Sequence, residues 1–289
     1  MPIANSELIL NTDGTIYHLN LRPEDIANTI ITVGDPDRVE DVTRHFQEIT
    51  VDVQRREFKT QTGSYHGKRI SVISTGIGTD NIDIVFNELD ALANIDFTTR
   101  TIKPEFTQLS FIRIGTSGAI QQEIPLDSFL ISERAVGFDN LIHFYEGTDF
   151  LDEGYSAALM EHLDWNQKKS HPYVVLPDEN LLGTFTSEGF IKGTTVTNVG
   201  FYGPQGRKLR LNLADAQMNN RLQSFNHKGS SITNLEMETS GIYGMSKLLG
   251  HRALSLNAII ANRALGTFSE NPKQTIDQLI KKTLDLLVL

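Results

Sequence analysis

Arg113 lies inside an apolar run, residues 109–120, with Ile112 before it and Ile114 after it, and the run closes on Gly115-Thr116-Ser117-Gly118. A guanidinium among β-branched residues is costly to bury unless an anion meets it. The two glycines and the Thr116 hydroxyl predict a strand followed by a tight, donor-rich turn where a ligand can approach the main chain. A charged fork beside such a turn describes an oxyanion site. Taken alone, Arg113 reads first as an edge-strand residue paired with a surface carboxylate. The choice rests on whether other segments point at the same ligand.

Several do. Gly34-Asp35-Pro36-Asp37-Arg38 follows a short β-branched run, residues 30–33, and Asp35 before Pro36 predicts a helix start with a carboxylate cap. In α/β proteins that helix end faces the strand termini, where anions bind, and Arg38 adds charge there. Glu236-Met237-Glu238 follows another apolar run. By themselves the two glutamates are first-turn carboxylates favoured by a helix dipole, and Met237 is core. Gln205 and Arg207 read as loop residues, and His18, in T-I-Y-H-L-N-L, as a strand residue with a polar edge.

The elements that must position these residues alternate along the whole chain. Strands are expected over 30–33, 57–62, 68–75, 109–114, 127–134, 191–199, 232–235 and 252–261. Residues 63–67 should form a turn. Helices are expected after Asp35 (Val39, Val42, Phe46), after Gly78 (Ile82, Val85, Leu89, Leu92), from Glu236 onward (Ile242, Met245, Leu248) and over 275–289 (Ile276, Leu279, Ile280, Leu284, Leu287). Residues 137–154 read as a loop. No linker, low-complexity tract or internal repeat interrupts this pattern, so residues 1–289 are expected to form one α/β domain.

Composition removes many alternatives. A net charge of −10 argues against non-specific nucleic-acid binding, which needs a basic face. Cysteine is absent, which excludes disulfides, thiolate catalysis and Cys-based metal sites. The N-terminal segment has no signal-peptide pattern and no stretch reaches 18 apolar residues, so a cytoplasmic protein is expected. There is no phosphate-loop motif G-x-x-x-x-G-K-S/T, no G-x-G-x-x-G opening a helix and no G-x-S-x-G elbow. The eight histidines form no i, i+4 pair with a carboxylate partner, so zinc is unsupported.

In this order, G-D-P-D-R at 34–38, S-T-G-I-G at 74–78, R-I-G-T-S-G at 113–118, F-Y-x-x-Q-x-R at 201–207 and E-M-E at 236–238 resemble the uridine phosphorylases of the nucleoside phosphorylase/hydrolase family. The resemblance spans about residues 15–265, and the 201–207 segment is its most specific part. It implies a central mixed β-sheet closed into a distorted barrel and flanked by helices. It also implies reversible phosphorolysis of uridine to uracil and ribose 1-phosphate, with deoxyuridine and thymidine as further substrates. No cofactor is implied, and inorganic phosphate is a co-substrate. Phosphate would lie against Gly34, Arg38, Arg113, Ile114, Gly115 and Thr116, with Arg56 reaching in from a neighbouring subunit. Ribose would be held by Thr116, Met237 and Glu238, with His18 from the neighbour near the 5′-hydroxyl. Uracil would be bound by Ser117, Gly118, Phe201, Gln205, Arg207 and Glu236. Arg38, Arg56, Arg113, Arg207 and Glu238 would carry the chemistry. The assembly implied is a homodimer with shared sites, or a hexamer of three such dimers.

The chain also departs from the family's pattern. Thr79-Asp80-Asn81 replaces a G-P-S in which bacterial relatives use the serine, with the glutamate matching Glu57, to hold potassium between subunits. Gly203-Pro204 inverts the usual order. Asn262 stands where purine-specific relatives carry an aspartate that protonates the base, although Thr239-Ser240-Gly241-Ile242-Tyr243 looks as much like those enzymes. Rival readings are therefore a purine nucleoside phosphorylase, a nucleosidase using water, and a non-catalytic nucleoside-binding protein.

Overall fold

The computed structural model describes residues 2–186 and 189–289. In chain order the elements are β1 (Thr29–Val33), α1 (Pro36–Thr43), β2 (Glu48–Arg55), β3 (Phe58–Tyr65), β4 (Lys68–Ser74), α2 (Thr79–Asn94), β5 (Ile95–Asp96), β6 (Thr101–Ile102) and β7 (Ser110–Ala119). They continue as β8 (Phe129–Gly137), α3 (Glu153–Leu163), β9 (Tyr173–Val175), α4 (Glu179–Thr186), β10 (Ile191–Thr197) and α5 (Met218–Ser224). The chain ends with β11 (Asn226–His227), β12 (Ser230–Glu236), α6 (Thr239–Leu248), β13 (Arg252–Asn262), β14 (Thr267–Phe268) and α7 (Pro272–Val288).

Five strands, β7-β13-β8-β10-β12, form a closed ring, because β12 returns to pair with β7 through Leu235↔Gly118 and Asn234↔Ala119. From β7 the sheet also runs outward through β1, β4, β3 and β2. Parallel pairing of β1, β7 and β13 requires both faces to be covered, and their sequences are accordingly near-continuous apolar runs. One face packs Ile31, Val33, Ile112, Ile114 and Leu256 under α1 and α7; the other packs Ile30, Ile73 and Phe111 against α2 and α6. Arg113 falls between two residues of the first face and so points the other way, into the barrel.

The structure amends several expected elements. Residues 115–118 do not turn: they continue β7, paired with β13 throughout. The donors expected of a turn come instead from a strand edge. β1 ends its pairing with β7 at Thr32↔Arg113 and β12 joins only at Gly118, so that edge of Ile114–Ser117 has no strand partner among the described residues. Gly63 lies within β3, and the turn to β4 is only His66-Gly67. The first helix ends at Thr43, before Phe46. Residues 48–55 form β2, whose largely exposed face gives no apolar signal. Residues 153–154 already belong to α3, capped by the Asp152 carboxylate. The helix after Glu236-Met237-Glu238 begins only at Thr239. His18 sits in a turn, where Glu88 accepts hydrogen bonds from the His18 and Leu19 amides at 3.0 and 2.8 Å.

Candidate active site

A cavity of about 720 Å³ opens at the carboxyl ends of β1, β4, β7 and β12. Gly34, Arg38, Arg113, Gly115 and Thr116 line one end, Glu236, Met237 and Glu238 the middle, and Ser117, Gly118, Phe201, Gln205 and Arg207 the remainder. Three residues proposed from the sequence are not on its wall. Ile114 buries its side chain under α1 and α7, which leaves only its backbone for a ligand. His18 and Arg56 lie elsewhere on the same chain, gathered around Tyr17: the His18 ring is 4.7 Å and the Arg56 guanidinium 5.8 Å from the Tyr17 ring. Their expected place in a neighbouring subunit's site concerns a second chain.

The middle of the cavity is a knot of three buried charges. Arg113, 7% exposed, donates from Nη2 to Glu238 Oε2 at 2.7 Å, and the same nitrogen lies 3.0 Å from Glu236 Oε2. Its Nη1 donates to Asn257 Oδ1 at 3.1 Å. Burial works against the Arg113 charge, but Glu236 and Glu238 outweigh it and hold the guanidinium above its ordinary pKa. Glu236 is committed within the protein: it accepts from Thr197 Oγ1 at 2.6 Å and from the Glu238 and Thr239 amides at 2.9 Å, satisfying the free N–H groups at the start of α6. Glu238 accepts from the Gly78 amide, which caps α2, at 2.9 Å. Burial raises the Glu238 carboxyl above its usual range, against the pull of Arg113. Gly115 is required here, since a Cβ would stand 1.9 Å from Arg113 Nη1.

Arg38, on the first turn of α1, is different. No side-chain partner of its guanidinium is found among the described residues, and burial followed by the nearby Arg113 charge lowers its pKa. The helix is capped as expected, with the Asp35 carboxylate accepting from the Asp37 amide at 3.0 Å. A cation with no ion-pair or hydrogen-bond partner among the described residues, a second guanidinium, a helix start and an unpaired strand edge thus meet at one end of the cavity. That arrangement suits a multiply charged oxyanion.

The other end is made by a loop. Arg207 lies 3.7 Å over the Phe201 ring, donates to the Phe201 carbonyl at 2.7 Å and to Gln205 Oε1 at 2.6 Å. The last bond leaves the Gln205 amide nitrogen as the side chain's free donor. Burial, then the charge of Arg263, pushes Arg207 down to about 10, so it remains a cation at neutral pH. Arg263 donates to the Gln205 carbonyl at 3.1 Å, and Asn219 to the same oxygen at 3.0 Å. Asn262 turns away from the cavity: its amide donates to the Gln121 and Ile124 carbonyls, and its carbonyl accepts from the Ala264 and Leu265 amides. Beyond Arg207 lies a second cavity of about 730 Å³, lined by Trp165, Tyr202, Leu209 and Met218.

Sequence reasoning passed over Ile77, Asn81, Ile260, Ala261 and Phe268, which also line the site, and Asn257 and Arg263, which brace it. Asn81 was noted only as a departure, and the β13–β14 hairpin that carries Phe268 has no motif. Glu57 and Asn81 both line the cavity, close to Gly76. The potassium site of bacterial relatives lies between subunits and concerns a second chain.

The sequence model of the phosphorylase superfamily matches residues 28–288. A uridine phosphorylase of Thermococcus kodakarensis is 28% identical over 261 residues, 89% of this chain and 81% of the relative. A DeoD-type purine nucleoside phosphorylase of Shewanella denitrificans is 26% identical over 281 residues, 94% of this chain and 98% of the relative. Among solved structures, a Trypanosoma brucei nucleoside phosphorylase with uridine phosphorylase activity superimposes with a TM-score of 0.88 at 27% identity, covering 98% of this chain and 99% of that one.

Proposed function

The chain belongs to the phosphorylase superfamily, and from that premise we propose that it catalyses the reversible phosphorolysis of uridine to uracil and ribose 1-phosphate, with deoxyuridine and thymidine in the same substrate class. The observation that carries this reading is the partnerless Arg38 guanidinium beside Arg113, at one end of a cavity whose other end presents Gln205 and Arg207. A nucleosidase using water would have no use for a guanidinium left without a direct partner.

In this reading phosphate lies against Gly34, Arg38, Arg113 and Thr116, and the ribose spans Met237 and Glu238. A phosphate oxygen forms a bond to the anomeric carbon as the C1′–N1 bond breaks and its electron pair passes to the departing uracil. Glu238, ionised, accepts from the ribose diol and favours positive charge on the ring. The guanidiniums hold the dianion in line, so catalysis is positioning and electrostatics without a covalent enzyme intermediate. Gln205 donates from its amide nitrogen and Arg207 from its guanidinium to uracil oxygens that gain negative charge. Phosphate enters as a co-substrate. We place the activity in the cytoplasm, in a homodimer to which His18 and Arg56 contribute across the interface. Among the described residues no helix is long and apolar enough to cross a membrane.

Release of free base from uridine, deoxyuridine, cytidine and inosine, with and without phosphate, tests the reaction. Phosphate-dependent uracil release is expected, and base release independent of phosphate would make the enzyme a hydrolase. The Shewanella relative and the Thr239–Tyr243 segment favour a purine reading, which wins if kcat/KM for inosine equals or exceeds that for uridine. For the shared site, mixing Arg56→Ala with Glu238→Gln subunits should restore activity, because one hybrid site is intact. No recovery after demonstrated subunit exchange would reject the shared site.

A further inference from the structure

Inside the five-strand ring, polar side chains join strand to strand. Arg113 Nη1 on β7 donates to Asn257 Oδ1 on β13 at 3.1 Å, and Asn257 Nδ2 donates to Ser132 Oγ on β8 at 3.2 Å. The Ser132 and Thr195 hydroxyls lie 2.6 Å apart, and Thr195, on β10, donates to Asn234 Oδ1 on β12 at 2.9 Å. Asn234 Nδ2 donates to Ser117 Oγ, back on β7, at 3.0 Å. The four linking residues are all 0% exposed.

With Asn234 turning Oδ1 to the Thr195 and Thr233 hydroxyls and Nδ2 to Ser117, the protons along this ring run one way. Arginine has no acceptor, so Asn257 must turn its oxygen to Arg113 and its nitrogen to Ser132. Thr195 has one proton, which it gives to Asn234, so Ser132 must donate to Thr195. Asn234 then meets Ser117 with its nitrogen, and the Ser117 oxygen accepts. The Ser117 proton is left over. Its hydroxyl lines the cavity at the end where Gln205 and Arg207 lie. Each bond polarises the next, and the source is a guanidinium charge. Well-packed apolar residues would serve a barrel core at least as well for stability, so a fully satisfied polar ring calls for another role.

We propose that this ring orients Ser117 as an O–H donor to a carbonyl oxygen of the departing base, with Asn257, Ser132, Thr195 and Asn234 as positioning residues. The inference rests on the phosphorolysis reading above. As the C1′–N bond breaks, its electron pair moves onto the base and charge gathers on the carbonyl oxygens, where a fixed donor acts on the transition state. It ties the phosphate end of the cavity to the base end through the barrel wall rather than through the ligand.

The test is a cycle of Thr195→Val, Thr195→Ser, Ser117→Ala and the Ser117→Ala/Thr195→Val pair. Thr195→Val keeps the shape and removes the link; Thr195→Ser keeps the link. With uridine, Thr195→Val should lower kcat about tenfold, as for a lost hydrogen bond to a developing charge, with the KM for phosphate within about twofold. Thr195→Ser should restore kcat, and the double variant should be no slower than Ser117→Ala alone. A general packing defect would lower the unfolding temperature and multiply with Ser117→Ala. An unchanged kcat in Thr195→Val, no rescue by serine, or multiplicative loss in the double variant overturns the proposal. A wild-type protein that cleaves inosine but not uridine would overturn the base assignment instead, and the same cycle then runs on inosine, whose base also carries a carbonyl.

Discussion

The two ends of the cavity are built on opposite plans. The end proposed for phosphate and ribose is carried by strands and helix starts, and apart from Arg38 its charges are buried and mutually paired: Arg113, Glu236 and Glu238 are 7%, 4% and 6% exposed. The base end is carried by a loop whose Phe201 is 51% exposed, and Gln205, Arg207 and Arg263 satisfy one another or the loop's own backbone. Removing a partner from the first end leaves a buried charge uncompensated, whereas removing one from the second returns a loop to solvent. On the proposed function, chemistry common to many nucleosides is fixed in the barrel while base choice varies in the loop. A second cavity behind Arg207 leaves that loop room to be rebuilt.

The sharpest way to break this contrast is at Arg113. Arg113→Ala should abolish phosphorolysis and also cost about 3–5 kcal/mol of stability, because Glu236 and Glu238 are left buried and unpaired. Thermal unfolding read beside kcat/KM checks both, and an Arg113→Ala protein as stable as wild type would refute the knot. Gly115→Ala keeps the charge but drives a methyl into the guanidinium, and should lower kcat/KM on the order of a hundredfold through displacement alone. Arg38→Ala is the contrasting case. Arg38 has no protein partner to abandon, so the KM for phosphate should rise about ten- to a hundredfold, for the loss of one charge-assisted contact of about 1.5–3 kcal/mol. Its unfolding temperature should not fall.

The same contrast explains what could be read from the sequence. β1 and the first half of β7 were legible because strands buried on both faces give near-continuous apolar runs, as at 30–33 and 111–114. β2 was not, since its exposed, alternating residues carry no such run. Arg113 was marked by its apolar neighbours and Arg38 by the Asp35-Pro36 helix start. The glycines at 115 and 118 suggested a turn, but Gly115 is there to make room for the Arg113 side chain inside a strand. That is a tertiary reason, invisible locally. Asn257, Ser132, Thr195 and Asn234 look like ordinary polar positions in four separate strands, and only barrel closure brings them into line. Phe268 and Arg263 reach the site through a hairpin and a loop whose path no local pattern dictates.

The charge knot also has a pH signature. In the proposed mechanism Glu238 acts ionised, and burial raises its pKa, so activity should be present above that value and lost as pH falls through it. The acid limb of kcat/KM against pH is therefore expected above the usual glutamate range. Glu238→Gln, assayed for its residual rate, should show no such limb. A limb at or below the ordinary value of 4.5 would mean that Arg113 outweighs burial. At the other end of the cavity, Arg207→Ala should lower kcat/KM for uridine about tenfold or more while the unfolding temperature stays put, since its partners lie within one loop. Cytidine, which puts an amino group where uridine has O4, should be a poor substrate for wild type, because donor would face donor. A wild-type enzyme that turns over both equally would remove Arg207 from base choice.

The smallest expected effect sharpens the comparison most. The Phe201 side chain touches Arg207 only by stacking, with the guanidinium 3.7 Å over its ring, and half of the residue's surface faces solvent. A cation–π contact at so open a place contributes about 0.5–1 kcal/mol. Phe201→Leu keeps the apolar cover and removes the ring's quadrupole, so kcat/KM for uridine should fall only about two- to fivefold by that magnitude. The loss should appear mainly in the KM for uridine, with the KM for phosphate unchanged, because the Arg207 bonds to the Phe201 carbonyl and to Gln205 survive the substitution. A drop approaching that of Arg207→Ala would mean that the stack, rather than those bonds, holds the guanidinium in place. The base end would then be as tightly organised as the phosphate end, and the division between a fixed barrel and an adaptable loop would not stand.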